Sequence, residues 1–196
     1  RGAAGDRGRL PLCCHGRAGD ARPVPGWKER DAASYDEVAV AYDRHIERLA
    51  GPLAESVCDL ATIRPGDRVL DVGCGTGVIT RRALARVRPS GCVLGVDLSE
   101  GMLAVAGAAE PGAMADGTLR FERMDAERLE LEDASFEAVI SMCAILHFPD
   151  APRAIQEMRR VLRPGGRLVV TYGSRRPHRL VDIAVHGGRW IGRALT

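Results

Sequence analysis

Aromatic side chains are scarce in this 196-residue sequence: two Trp, three Tyr and three Phe make up 4% of it. That scarcity argues against a nucleic-acid binder that stacks bases. Charge of one sign is lacking too, because 28 Lys and Arg face 26 Asp and Glu, for a formal net charge of +2. No electrostatic case exists for DNA, RNA or an acidic membrane surface. No apolar run reaches the roughly 18 residues of a membrane-spanning helix, and the opening stretch has no apolar core of a secretory signal. The six cysteines, at 13, 14, 58, 74, 92 and 143, form no Cys-x-x-Cys pair, and histidines do not gather near them. They read as free thiols of a cytoplasmic protein, with no disulfide frame and no metal site.

What is present changes along the chain. Arg1 to Ala33 is rich in Gly, Arg, Pro and Ala, buries little, and reads as a disordered leader, with one domain from 34 to 196. From Ser34, Tyr35, Val38, Ala39, Tyr42, Ile46 and Leu49 recur at helical spacing, and a second helix is expected from Pro52 to Ala61. Apolar runs at 68–72, 92–97, 119–124, 136–142 and 167–172 read as strands. Helices are expected at 76–87, after Ser99 and after Asp150, and Pro111 to Gly117 reads as a loop. Strands that alternate with helices imply an α/β fold with a doubly wound, mostly parallel sheet. Ligands of such sheets bind at the carboxyl ends of the strands, here just after Val72, Val96, Met124 and Met142.

The first of these ends reads Asp71-Val72-Gly73-Cys74-Gly75-Thr76-Gly77. Gly73, Gly75 and Gly77 let the backbone turn tightly and let a ligand approach with no Cβ in the way. A glycine loop alone also suits a dinucleotide site. Here the spacing is GxGxG and Asp71 lies two residues ahead of it, where a carboxylate would repel a pyrophosphate and attract an ammonium or sulfonium. Asp97 ends the second strand, twenty residues after Gly77, where a ribose-binding acid belongs. Asp125 ends the third and can accept a hydrogen bond from an exocyclic amine. Each acid by itself would serve equally well as a helix cap or turn residue.

In combination these segments resemble the class I S-adenosylmethionine-dependent methyltransferases. Val69–Gly77 is similar to their first motif, Val96–Met102 to the second, Asp125-Ala126-Glu127 to the third, Phe136–Ser141 to the strand-four motif, and Leu162–Leu168 to the turn before strand five. The resemblance spans Ser34 to Gly173 and is nearest the small-molecule group, including the enzymes of ubiquinone and menaquinone synthesis. It implies a Rossmann-like methyltransferase fold, S-adenosyl-L-methionine as cofactor, and a small-molecule acceptor methylated on O, N or C. Asp71 and Gly73 would hold the methionine end, and Asp97 the ribose. Met102 would pack on adenine, with Asp125 and Ala126 at the adenine edge. The motif positions Leu98 and Ser141 join this cofactor set. Tyr42 matches an aromatic that often covers the cofactor, though a buried core tyrosine is an equal reading.

The strand-four loop, Ser141 to Asp150, lacks the Asn/Asp-Pro-Pro-aromatic run of adenine and glutamine N-methyltransferases and the Pro-Cys pair of cytosine C5 enzymes. Cys143 reads as a small buried packing residue rather than a nucleophile. His147 is the evident proton acceptor and the candidate catalytic residue; shaping the loop is the alternative.

The resemblance also implies seven strands, the last an antiparallel hairpin partner. Beyond Tyr172, Leu180, Val181, Ile183, Ala184, Trp190 and Ile191 read as one more helix. A chain cut short at its C-terminus and lacking the last two strands is therefore expected. Two rivals to a working methyltransferase stand beside it: a cofactor-binding remnant without turnover, and an NAD-dependent oxidoreductase.

Overall fold

Four Val-, Leu- and Ile-rich segments, largely buried on both faces, pair as parallel strands because their backbones can be satisfied only sideways, and a fifth, more exposed segment joins them at the edge. The structure is a computed structural model describing residues 26–173, 180–186 and 189–195. The elements in chain order are α1 (Trp27–Leu60), β1 (Arg68–Val72), α2 (Val78–Val87), β2 (Cys92–Asp97), α3 (Glu100–Ala109), α4 (Pro111–Asp116), β3 (Leu119–Arg123), β4 (Phe136–Met142), α5 (Ala151–Val161), β5 (Leu162–Gly173), β6 (Leu180–His186) and β7 (Arg189–Leu195). A single 3-10 turn, Ile145–His147, precedes α5. The sheet order is β3-β2-β1-β4-β5-β6-β7, with β1 to β5 parallel. The order reverses direction between β1 and β4, which is where a doubly wound sheet opens its crevice.

Alternation along the strands splits the core in two. Val69, Ala138 and Ile140 face one side, where Ala54 and Val57 of α1 and Ile79 and Leu84 of α2 cover them. Leu70, Val72, Val139 and Leu168 face the other, against Met158 and Val161 of α5. At the amino ends of the strands, Glu137 accepts hydrogen bonds from the Arg68 amide (2.7 Å) and Arg163 Nη1 (3.1 Å), and Asp67 pairs with Arg167. These ion pairs tie β1, β4 and β5 together at the end opposite the crevice.

The doubly wound, mostly parallel sheet is as expected, and β3 lies at its edge. Four local readings are corrected. The C-terminal stretch is not a helix and the sheet does not stop at five strands: β6 runs antiparallel to β5, and β7 antiparallel to β6. The signal lay in Val181, Ile183 and Val185 at period two and in a Gly187-Gly188 pair between two apolar runs, which favours a hairpin over a helix. The leader does not extend to Ala33, because α1 begins at Trp27 behind a left-handed Gly26; the part at 1–25 lies outside the described residues. The two expected N-terminal helices are one, continuous through Pro52. The expected loop at Pro111 is the short helix α4, with Pro at its first turn and left-handed Gly117 ending it. Among the described residues no helix is long and apolar enough to cross a membrane.

The segment after β3 is pinned to α5 by one acid. Glu157, 6% exposed, accepts hydrogen bonds from the Leu129 amide (3.0 Å) and from Arg160 Nη2 (2.8 Å), while Arg160 also donates to the carbonyls of Leu129 and Leu131 (both 2.7 Å). The Arg160 hydrogen bond holds the Glu157 carboxyl below its ordinary value of 4.5, so its stabilisation is present above that pH and is lost as pH falls through the lowered value. Glu157→Gln should cost about 1 kcal/mol at neutral pH, the difference between a charged and a neutral hydrogen bond. In paired denaturant melts that cost should shrink as the solution is acidified below about pH 4.

Candidate functional site

The crevice at the carboxyl ends of β1 to β4 is organised by backbone geometry first. After Val72 the chain folds back over β2, with the Gly73 and Cys74 amides both donating to the Val96 carbonyl (2.8 and 3.0 Å). Gly73 has φ +72°, and a Cβ there would stand 2.3 Å from the Ala144 Cβ, so only glycine fits between the first and fourth loops. Gly75 has φ +54° with open space where its Cβ would be. Gly77, at φ +83°, is the N-cap of α2.

Asp97 fastens this loop. Its Oδ2 accepts from the Gly75 amide (2.9 Å) and its Oδ1 from the Ser99 amide (3.0 Å). Burial raises the Asp97 pKa; the hydrogen bonds from Ser99, Gly75 and Leu98 and the charge of His147 pull it back only in part. Each carboxylate oxygen keeps a further lone pair for a ligand hydroxyl. Ser99 then caps α3 by accepting from the Met102 amide (3.1 Å), which sets Met102 in the cleft wall at 2% exposure.

Asp71 sits beneath the glycine loop, fully buried, and does not reach the cleft surface. Its Oδ2 accepts from Thr80 Oγ1 (2.5 Å), and its Oδ1 meets no hydrogen-bond donor among the described residues. Burial raises its pKa to about 7. A buried carboxyl with one oxygen unpartnered is costly to ionise unless a positive charge comes near.

The third acid is already engaged. Asp125 Oδ2 accepts from Lys28 Nζ at 2.7 Å, its Oδ1 accepts from the Glu127 amide (2.9 Å), and Glu127 Oε2 takes a second Lys28 hydrogen bond at 2.5 Å. Burial works against the Lys28 charge, but the bonds to Asp125 and Glu127 outweigh it and raise its pKa. Asp36 of α1 accepts from Ser99 Oγ (2.6 Å) and the Gly101 amide (2.8 Å). The first turns of α1 thereby lie across the crevice, which holds about 850 Å³ of space out to its open mouth.

Of the residues expected from sequence, Tyr42, Gly73, Gly75, Asp97, Leu98, Met102, Asp125, Ala126 and His147 line this one cleft. Asp71, Gly77 and Ser141 lie behind its wall: Ser141 is buried and donates to the Val72 carbonyl (2.8 Å), holding β4 against the glycine loop. Tyr42 is 37% exposed, which settles it as a wall residue and not a core tyrosine. Cys143 is corrected: it is exposed at φ +60° in the cleft wall, not a buried packing residue. Buried Cys58, its thiol pushed up to about 12 by burial, does fit an inert packing role. Lys28, Asp31 and Tyr35 also line the cleft and were missed as site residues. Lys28 and Asp31 fell inside the supposed leader, and Tyr35 was read only as part of a helix face. The usable signal was their spacing with Tyr42, at i, i+3, i+7 and i+14, which places all four on one helix face.

Residues 70–170 match the family model described as a methyltransferase domain. The chain is similar to the nocamycin O-methyltransferase of Saccharothrix syringae, 36% identical over 137 residues that cover 70% of this chain and 49% of that protein. It is likewise 34% identical over 146 residues to the ubiquinone/menaquinone biosynthesis C-methyltransferase UbiE of Ectopseudomonas mendocina, covering 72% of this chain and 57% of that one. It therefore spans about half the length of these relatives. Among solved structures, an S-adenosylmethionine-dependent methyltransferase from Mesorhizobium loti superposes with a TM-score of 0.55 at 31% identity, over 71% of this chain and 62% of the other. The sheet order, the glycine loop fastened by Asp97 and these matches agree that the chain belongs to the class I methyltransferase-domain family.

Proposed function

We propose that this chain binds S-adenosylmethionine in the crevice and transfers its methyl group to a small-molecule O, N or C acceptor. The observation that carries the reading is Asp71, a buried carboxyl with an unpartnered oxygen directly under a glycine loop. A cationic ligand lying on the loop relieves its ionisation; a pyrophosphate there would oppose it and Asp97 together. This favours the cofactor over NAD. Asp97 would hold the ribose hydroxyls, Met102 would pack on the adenine, and Asp125 with Ala126 would meet its edge. When bound, the cofactor supplies a methyl carbon activated by a neighbouring sulfonium. The residues of the chain then have to orient the acceptor in line, exclude water, and take a proton where the acceptor carries one. His147, in the same wall, would perform that last task. A cytoplasmic setting agrees with the free thiols Cys58, Cys74 and Cys92.

Calorimetry with S-adenosylmethionine, its demethylated product and NAD tests the reading: either nucleoside should bind, and binding of NAD alone would overturn it. Asp97→Ala should weaken cofactor affinity by about 1.5–3 kcal/mol, the range for hydrogen bonds to a charged group.

Asp71 makes affinity depend on pH. Its folded pKa is raised from 3.8 to about 7, so in the unliganded protein this group lowers stability as pH climbs between those values. A cationic ligand favours the ionised form, so its binding should release a proton and tighten as pH rises from about 6 to 8. Asp71→Asn should flatten that profile in titrations run in buffers of different ionisation enthalpy.

A further inference from the structure

His147 is gripped by α1 at both ring nitrogens. Asp31 Oδ2 lies 3.0 Å from Nδ1, and the Tyr35 hydroxyl lies 3.3 Å from Nε2, with the tyrosine ring edge-on at 5.3 Å between centroids. Asp31 and Tyr35 are one helical turn apart, and His147 ends the 3-10 turn of the strand-four loop, where its amide donates to the Ala144 carbonyl (2.9 Å). Asp97, at the end of β2, also feels the charge of the imidazole. An ionised carboxylate can only accept, so Asp31 fixes the proton on Nδ1 and leaves the Nε2 lone pair directed toward Tyr35 and the cleft.

We propose that Asp31 is the positioning residue for His147, and that the pair serves an acceptor bearing a weakly acidic hydroxyl, of enol or phenol type. This deepens the methyltransferase reading and rests on it. A neutral amine attacks with its own lone pair and sheds its proton afterwards, so it needs no such base. A phenolic or enolic hydroxyl, at about 10, gives up its proton to a neutral imidazole far more readily than a water-like hydroxyl at about 15.7. Only the first is within reach of a base of this strength. The acceptor oxygen takes the place of the Tyr35 hydroxyl at Nε2. Its proton passes to that nitrogen as its electron pair forms the bond to the methyl carbon, and the carbon–sulfur pair stays on sulfur as a neutral thioether. The imidazolium so formed is balanced by Asp31.

The first test needs no turnover. Nitrogen-15 spectra of the full chain, with the His147 signals identified by their loss in His147→Gln, should show His147 protonated at Nδ1 and bare at Nε2. Asp31→Ala should move the proton to Nε2, whereas Tyr35→Phe should leave it on Nδ1. A His147 that carries its proton on Nε2 in the parent, or is unchanged by Asp31→Ala, overturns the positioning role. The second test follows labelled methyl from S-adenosylmethionine to 1,4-dihydroxynaphthalene, to the enol of a cyclic 1,3-diketone, and to aniline. Label on either hydroxyl compound is expected, and which of the two accepts it tells phenol from enol. On that compound Asp31→Ala should lower kcat about 10- to 100-fold. Cofactor affinity should stay within about twofold, and Asp31→Glu should restore part of the rate. Label on aniline alone, on neither hydroxyl compound, or an unchanged kcat in Asp31→Ala overturns the proposal. Failure of the methyltransferase reading would show separately, as absent cofactor binding in calorimetry.

Discussion

The crevice depends on one carboxylate. Asp97 receives the Gly75 amide on one oxygen and the Ser99 amide on the other, so the glycine loop, the end of β2 and the start of α3 share a single anchor. Three turns that would otherwise move independently are thereby held in one arrangement. The anchor is itself partly desolvated, which makes each backbone hydrogen bond stronger than its equivalent in water. Ser99 extends the chain of contacts through its hydroxyl to Asp36, so the covering helix is tied to the same point.

The sequence was most legible where one residue type can do one thing. Glycines after an apolar run, with acids at successive strand ends, put Gly73, Gly75, Asp97 and Asp125 in one wall, because loop chemistry at a strand end is local. Asp71 was legible in kind but not in depth: nothing in the spacing tells that Thr80, in the first turn of α2, closes over it. Two larger errors have a common cause. The stretch around Trp27–Ala33 has too few apolar residues to read as a helix, since what orders it is long-range pairing of Lys28, Asp31 and Asp36 with residues 63 to 116 positions away. The last two strands were read as a helix because short apolar runs do not reveal their period, and neighbouring strands decide the outcome.

α1 does two jobs with its two halves. From about Gly51 onward it is a core element, with Ala54, Val57 and Cys58 fully buried against the sheet and α2. Ahead of that its residues are largely exposed and its contacts with the crevice are polar. A helix anchored by apolar packing at one end and by hydrogen bonds at the other can yield at the polar end without costing the core. That division suits a wall that must admit and release ligands.

Lys28 gives the crevice a resident cation. Because it is tethered to the same molecule, it competes at an effective concentration on the order of millimolar, whatever the solution contains. A neutral ligand amine arriving at Asp125 does not fill an empty position; it displaces an ammonium that two carboxylates already share. That exchange trades a charge-assisted hydrogen bond for an ordinary one, so in the proposed binding mode an adenine edge would gain discrimination here but little net affinity. In that proposed mode the grip on the cofactor would have to come from the other end of the crevice, leaving the adenine end as the place where a bound nucleoside starts to let go.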